Sequence, residues 1–454
     1  MRRRHLSVLA AGALLLAALT VRSAPEAEVR SVGLARVDIT PDYPVRLSGY
    51  AARKTESEGV AQRLWAKALA LGSDREKPAV LICVENCGVP TWLRDEVAGR
   101  LARARRIDPE RVALCSTHTH SAPHLEGYLT NLFLGPLPSD QLERIGRYTR
   151  ELVAALERVA LEALDNRAPG RLWRGLGTAS FAANRRQADG PVDHDVPVLV
   201  VRGEDGRLRG VVASYACHCT TVTGEFNQIC GDWAGYAQEY LERDHPGAIV
   251  MVAIGCGGDA NPHPRPGFEL ARRHGEELAG AVNRVLGGAL RPVNGKLACR
   301  TRTIELAFGP LPTRAEWEEK AKDPGYVGQH ARVNLARLER GEPLPTHLPY
   351  RIQAWTFGKD LAWVFLQGEV VSDYALRLKR ECDRERLWVN AYANGVPCYI
   401  PSERALKTPV YEYEAGGAMI YYDWPTRLAP GLEDLIVRTV RDLLPKSYRA
   451  AKQS

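Results

Sequence analysis

An α/β fold of layered, mixed β-sheets flanked by helices follows from two observations. Short runs rich in Val, Ile, Leu and Ala alternate along the chain with longer stretches of helical periodicity, and such alternation requires at least some parallel pairing. Apolar residues make up 45% and charged residues 25% of the 454 residues, a balance that supplies a core and excludes a fibrous or disordered chain.

Taken in order, the first residues stand apart from this pattern. Arg2, Arg3 and Arg4 precede an apolar run from Leu6 to Leu19, after which Val21 and Ser23 suit the −3 and −1 positions of a cleavage site. Residues 1–23 therefore read as a secretory signal peptide, too short to span a bilayer comfortably, and predict export to the periplasm or beyond. The chain has 61 Lys and Arg against 54 Asp and Glu. Removing Arg2, Arg3, Arg4 and Arg22 leaves 57 against 54, a weak excess that gives no support to nucleic-acid binding.

Strands are expected at 67–71, 80–84, 112–115, 196–201, 211–216, 248–254, 352–356 and 361–365. Helices are expected at 91–104, 140–166, 233–243, 268–286, 371–383 and 432–444. The polar, proline-rimmed segment 310–349 reads as a helical insertion over one face. No internal repeat or long linker interrupts the sequence, so 30–447 is read as one α/β domain. Cys83, Cys115, Cys217, Cys219 and Cys256 lie in or beside the apolar runs, and no CxxC occurs. Few or no structural disulfides are expected despite the export signal.

Chemistry concentrates at strand ends. After VALC comes STHTHSAPH, where His118 and His120 would share one face if the strand continued. Two imidazoles so placed form half of a metal site, or one ligand beside one acid–base group. A second run, VVASYACHCTT, carries His218, with Cys217 and Cys219 facing away if the strand is regular. LAWVFLQGEVVSDY places Glu369 at a strand-to-helix junction. There a carboxylate suits a helix N-terminus, or completes a His₂Glu set of the kind that holds catalytic zinc. GCGGDA matches a dinucleotide-binding pattern, but Pro262, Pro264 and Pro266 follow and preclude the helix that such binding needs.

VGLARVDITP, LSGYA, RLWAKALAL, STHTHSAP, YACHCTT with GDWAGYA, FLQGE, NGVPCYIPS and YEYEAG occur in that order. Together they resemble the neutral/alkaline (non-lysosomal) ceramidase family from about Val32 to Leu444. The resemblance implies a zinc amidase that splits the N-acyl bond of ceramide, with a ceramidase catalytic-domain fold. It implies zinc ligands His118, His218, Glu369 and Tyr399, with His120 as the second active-site histidine. Arg185 and Tyr413 match the residues that help hold the reacting carbonyl oxygen; Tyr413 needs a two-residue shift, and Tyr411 competes for that place.

The sequence departs from the family in three places. Gly255-Cys256-Gly257-Gly258-Asp259 stands where the family has a serine before its N-x-G turn, LQGE replaces LPGE, and the chain ends after one helix near Leu444 without the family's C-terminal immunoglobulin-like domain. Arg186, His124 and His263 have no assigned role. The expected partner is a small-molecule or lipid N-acyl substrate, with peripheral membrane contact and no nucleic acid. Two rival readings are an amidohydrolase-type barrel metalloenzyme and a non-catalytic envelope binding protein that keeps the scaffold.

Overall fold

The computed structural model describes residues 27–449; the expected signal peptide lies outside them. A large sheet is built from β1 (Arg30–Asp38), β2 (Trp65–Leu71), β3 (Ala79–Val84), β4 (Val112–Ser116), β5 (Ala168–Thr178), β6 (Asp195–Gly203), β7 (Leu208–Tyr215) and β8 (Ile249–Ile254). Their spatial order is β4-β3-β2-β1-β5-β6-β7-β8, with a short Arg291–Pro292 strand on β5. Only β3/β4 and β7/β8 pair in parallel, each joined by a crossover helix, Thr91–Arg105 and Asp232–Asp244 respectively.

A second sheet has the order β9 (Leu297–Ala307), β10 (His347–Phe357), β11 (Leu361–Leu366), β12 (Leu387–Asn390). Its one parallel pair, β11/β12, is bridged by the helix Ser372–Glu381. Period-two alternation gives this sheet two apolar faces. Trp355, Trp363 and Phe365 turn toward the large sheet, meeting Leu69, Leu81 and Met251. Ile352, Ala354 and Val364 turn the other way, in the cluster that includes Ile436 and Val440 of the helix Leu432–Leu443. The helix Ser139–Asp165 covers the outer face of the large sheet. The layers thus run helix, sheet, sheet, helix. These mixed sheets replace the parallel barrel of the rival metalloenzyme reading, which the fold rules out.

The expected strands and helices occupy their places, with ends moved by a few residues. In the two large sheets β1, β5, β9 and β12 were not anticipated, nor were the short strands such as Arg291–Pro292. The segment 310–349 does hold two helices, Arg314–Lys320 and Tyr326–Glu339, but its last residues open β10. All ten cysteines are buried free thiols. No helix among the described residues is long and apolar enough to cross a membrane.

One short stretch ties the layers together beneath the site. Leaving β12, Asn390 donates its side-chain N–H groups to the carbonyls of Ala253 and Ile254 on β8, each at 2.9 Å. Ser116 N donates to Tyr392 O at 3.1 Å, and Asn394 N to Leu114 O at 2.7 Å, on β4. The two edge strands of the large sheet are therefore laced to one loop. The carboxyl ends of the parallel pairs β3/β4, β7/β8 and β11/β12 converge there, where open α/β sheets place their ligands.

Candidate metal centre

Each convergent strand end delivers one functional group. His118 follows β4, His218 follows β7 and Glu369 follows β11. The His118 Nε2 lies 3.1 Å from Glu369 Oε2, and the His218 Nε2 lies 2.9 Å from the same oxygen. These three donor atoms lie within 4.8 Å of one another, and all three residues are buried. The rings are held from behind. His118 Nδ1 donates to Cys87 O at 2.5 Å, and His218 Nδ1 to Gly257 O at 2.7 Å. A carbonyl can only accept, so both Nε2 atoms keep their lone pairs turned toward the shared point, the tautomer a metal ligand needs.

The local backbone is less regular than the expected strand. β4 stops at Ser116, and His118 adopts φ of 60°, a conformation uncommon outside glycine. His118 and His120 nevertheless meet, with Nε2 atoms 3.1 Å apart, because this turn and not a pleat brings them together. Tyr392 stacks on the His118 ring at 4.3 Å. β7 likewise ends before His218, while Cys217 and Cys219 join the core as expected. Glu369 does not cap the following helix, whose cap is Val371; its carboxylate faces the histidines.

The electrostatics follow from burial and from these pairings. Burial works against charge on His118, but Glu369 and Cys87 together outweigh it and raise the ring to about 10, so a positive charge is favoured between His118 and Glu369. His218 is pushed down to about 4 by burial and then by Arg185. His120 falls well below its usual value through burial, with His118 and His218 adding to the effect. Burial would raise Glu369, yet His118 and His218 hold it well below the usual carboxylate range. A buried carboxylate and two imidazole Nε2 atoms that face one point favour a positive charge there, which a divalent cation supplies.

The other residues singled out in the sequence surround this point. Tyr399 OH is 3.3 Å from His218 Nε2. Arg185 Nη1 is also 3.3 Å from that nitrogen, and Glu414 holds its guanidinium at 2.6 Å. Tyr413 packs against Tyr399 with ring centres 5.6 Å apart and lines the cavity. Tyr411 turns away, donating to Asn184 Oδ1 at 3.1 Å under Arg404, so of the two competitors Tyr413 is the one at the site. Arg186 shares Glu414, His124 is buried against Ser48, and His263 N donates to Phe181 O at 2.7 Å.

Two contributors were missed. Tyr422 donates its hydroxyl to Glu369 Oε1, the oxygen that does not face the histidines. Its signal was present in IYYDW but lacked any spacing relation to the ligands. Cys87 supplies the carbonyl that orients His118, a role no side-chain pattern encodes. Cys87, His118 and His120 also form a close donor set. The Cys87 Sγ, however, lies 4.0 Å from His118 Nδ1, the edge of the ring opposite the shared point.

The segment where the family's serine was expected contributes backbone. Cys256 is fully buried, Gly257 supplies the carbonyl to His218, and Gly258 N donates to Val370 O at 2.8 Å. A Cβ on Gly257 would stand 2.6 Å from Cys217 N, and one on Gly258 2.5 Å from Glu369 O. Only glycine lets these backbones approach so closely. Asp259 then binds Ser372 N and Oγ, both at 2.8 Å, at the start of the helix behind Glu369.

Residues 31–253 match the family model described as neutral/alkaline non-lysosomal ceramidase, N-terminal. The neutral ceramidase of Pseudomonas aeruginosa is 26% identical over 316 residues, covering 63% of this chain and 46% of that protein. The neutral ceramidase of Drosophila melanogaster is 27% identical over 263 residues, covering 51% of this chain and 36% of its own. The matched region thus spans less than half the length of these relatives. Among solved structures, that of the P. aeruginosa neutral ceramidase superposes with a TM-score of 0.71 at 20% identity, covering 95% of this chain and 77% of that one. A structure described as ceramidase complexed with C2 gives 0.70 at 20% identity, covering 94% and 78%. Over residues 31–253 the chain is thus similar to the neutral/alkaline non-lysosomal ceramidases, and its fold is the one these solved ceramidase structures share.

Proposed function

We propose that this protein is an exported, zinc-dependent amidase that hydrolyses an N-acyl bond in a ceramide-like lipid or another small amide. One observation carries the reading: the Nε2 atoms of His118 and His218 and Glu369 Oε2 face one point, each fixed from behind by a separate hydrogen bond. Tyr399 stands beside them as the fourth ligand. Zinc at that point would supply a Lewis acid and lower the pKa of a water from roughly 15.7 to about 7.

The chain's own residues account for the rest. Water adds its oxygen to the acyl carbon, the C–N bond breaks, and the departing nitrogen needs a proton. His120 is placed to carry it: its Nε2 reaches the His118 edge of the site, while its buried Nδ1 has no partner. Arg185 and Tyr413 hold the carbonyl oxygen as charge develops on it, with Glu414 keeping the guanidinium in place. Tyr422 occupies the second oxygen of Glu369 and so leaves one oxygen for the metal.

This last role has a measurable consequence. Tyr422→Phe is expected to weaken zinc affinity about 10–100-fold, the usual cost of losing a group that orients a ligand. Competition with a chromophoric chelator reads the affinity directly, and an unchanged value would remove Tyr422 from the site's support. The reading as a whole is tested by fatty-acid release from a panel of N-acyl amides before and after chelation. Release that stops on chelation and returns with zinc supports it. Stoichiometric zinc without turnover on any member would favour the non-catalytic binding protein.

A further inference from the structure

We infer that Asp423 and Arg337 are positioning residues for the metal centre: their paired bond carries the support of the helix Tyr326–Glu339 to Tyr422, and through Tyr422 to Glu369. The inference rests on the amidase reading above. It also gives a task to the segment 310–349, from which the proposed chemistry takes no group.

Tyr326, Gln329, His330 and Arg337 lie three, four and eleven residues along that helix from its first residue, so they share one face. Segments that form the cavity beside the donors meet this face. The Tyr326 hydroxyl donates to Ala51 O at 2.9 Å, and Gln329 Nε2 to Phe133 O at 2.9 Å. Gly135 N donates in return to Gln329 Oε1 at 2.6 Å. The Tyr326 ring lies 5.4 Å from that of Tyr421. Ala51, Leu132 and Tyr421 line the cavity, whose volume is about 610 Å³.

Arg337 fastens the same helix to the turn that carries Tyr421 and Tyr422. Its Nη1 donates to Asp423 Oδ1 at 3.0 Å and its Nη2 to Asp423 Oδ2, a two-point contact between guanidinium and carboxylate. Asn334 Oδ1 accepts from the guanidinium at 3.2 Å and holds it from behind. Asp423 adopts φ of 63°, a conformation that Asp and Asn accept more readily than other side chains. Its neighbour Tyr422 donates to Glu369 Oε1. One turn therefore joins the helix to the ligand carboxylate.

Asp423 has two other polar neighbours, and both hold it more weakly. Asn131 Nδ2 reaches Ile420 O at 3.0 Å but Asp423 Oδ1 only at 3.4 Å, and His330 Nε2 stands 3.9 Å from that oxygen. The Asp423 side chain is 16% exposed. Without the guanidinium, a carboxylate this buried keeps one long bond and must turn toward water to recover its hydration. The backbone that turns with it is that of Tyr422. Trp424 Nε1 still donates to Pro397 O at 2.8 Å, so the turn shifts and does not detach.

The test measures zinc affinity, by competition with a chromophoric chelator, for Arg337→Gln and Asp423→Asn made in the parent protein and again in Tyr422→Phe. Asparagine keeps the shape of Asp423 and accepts its backbone conformation, so that variant removes the charge alone. Each substitution is expected to lower the affinity of the parent about fivefold, the scale of an effect relayed through an intervening residue. In Tyr422→Phe each should change it by less than about twofold, because the group being positioned is already gone. A loss of the same size in both backgrounds would mean a general loosening and overturns the inference. Affinity unmoved by both substitutions, in a parent protein that binds zinc and hydrolyses amides, also overturns it and leaves the amidase reading standing. Arg337→Lys, which keeps the charge but not the two-point contact, stands in for Arg337→Gln if that variant does not fold. A parent protein that binds no zinc overturns both.

Discussion

Replacing His118 with alanine is expected to remove the bound metal and lower kcat/KM for amide hydrolysis roughly 10³-fold or more. The size follows from the several kcal/mol that a Lewis acid supplies at a developing charge, with each 1.36 kcal/mol worth about tenfold. Of the donors, His118 is the one whose ring touches Glu369, His120 and Tyr392 together, and its Nδ1 is spent on Cys87 O. No other imidazole can take its place: His218 is already committed to Gly257 O, and His120 has no carbonyl behind it. Elemental analysis beside a turnover assay checks the result. Full activity in the variant would dismiss the site.

His120→Gln should behave differently. Zinc content is expected to stay near that of the parent protein, while kcat falls about 10²–10⁴-fold, the contribution typical of a positioned acid–base group. The distinction rests on geometry. The His120 Nε2 reaches His118, its Nδ1 faces no acceptor, and Tyr50 packs on the ring. A ligand would need the backing that His118 and His218 have. Parallel loss of zinc and activity in this variant would make His120 a ligand instead. Retained activity would deprive it of any part in proton transfer.

How far these features could be read without a structure depended on where the physics was local. Buried strands such as β3, β7 and β8 are continuous apolar runs and announce themselves. β9, with Arg300, Thr301, Arg302 and Thr303 in its middle, lies at a sheet edge with one exposed face, so its alternation is faint. β5 is broken by Gly170, Gly175 and Gly177, which pack closely against neighbours including Arg202 O and Val285. β12 is short, and its importance lies in tertiary lacing through Asn390 and not in pattern.

The site divides in the same way. His118, His120, His218 and Glu369 sit at strand ends with distinctive neighbours, and residue chemistry alone made them candidates. Their meeting could not be deduced from spacing, because it needs the loop after β12 to draw β4 and β8 together. Tyr399, Arg185 and Tyr413 were legible only through the family resemblance, and the structure brings all three to the cavity side of His218. Tyr422 and the Cys87 carbonyl were not legible at all. One lacks a motif, and the other is a backbone atom, which any residue could supply.

The most direct measurement is anomalous diffraction at the zinc edge from crystals of the protein grown with zinc. The proposed site requires one strong peak bonded to His118 Nε2, His218 Nε2 and Glu369 Oε2, with Tyr399 OH at the fourth position and His120 outside the ligand sphere. A peak elsewhere, or none at this point in zinc-replete crystals, would contradict it.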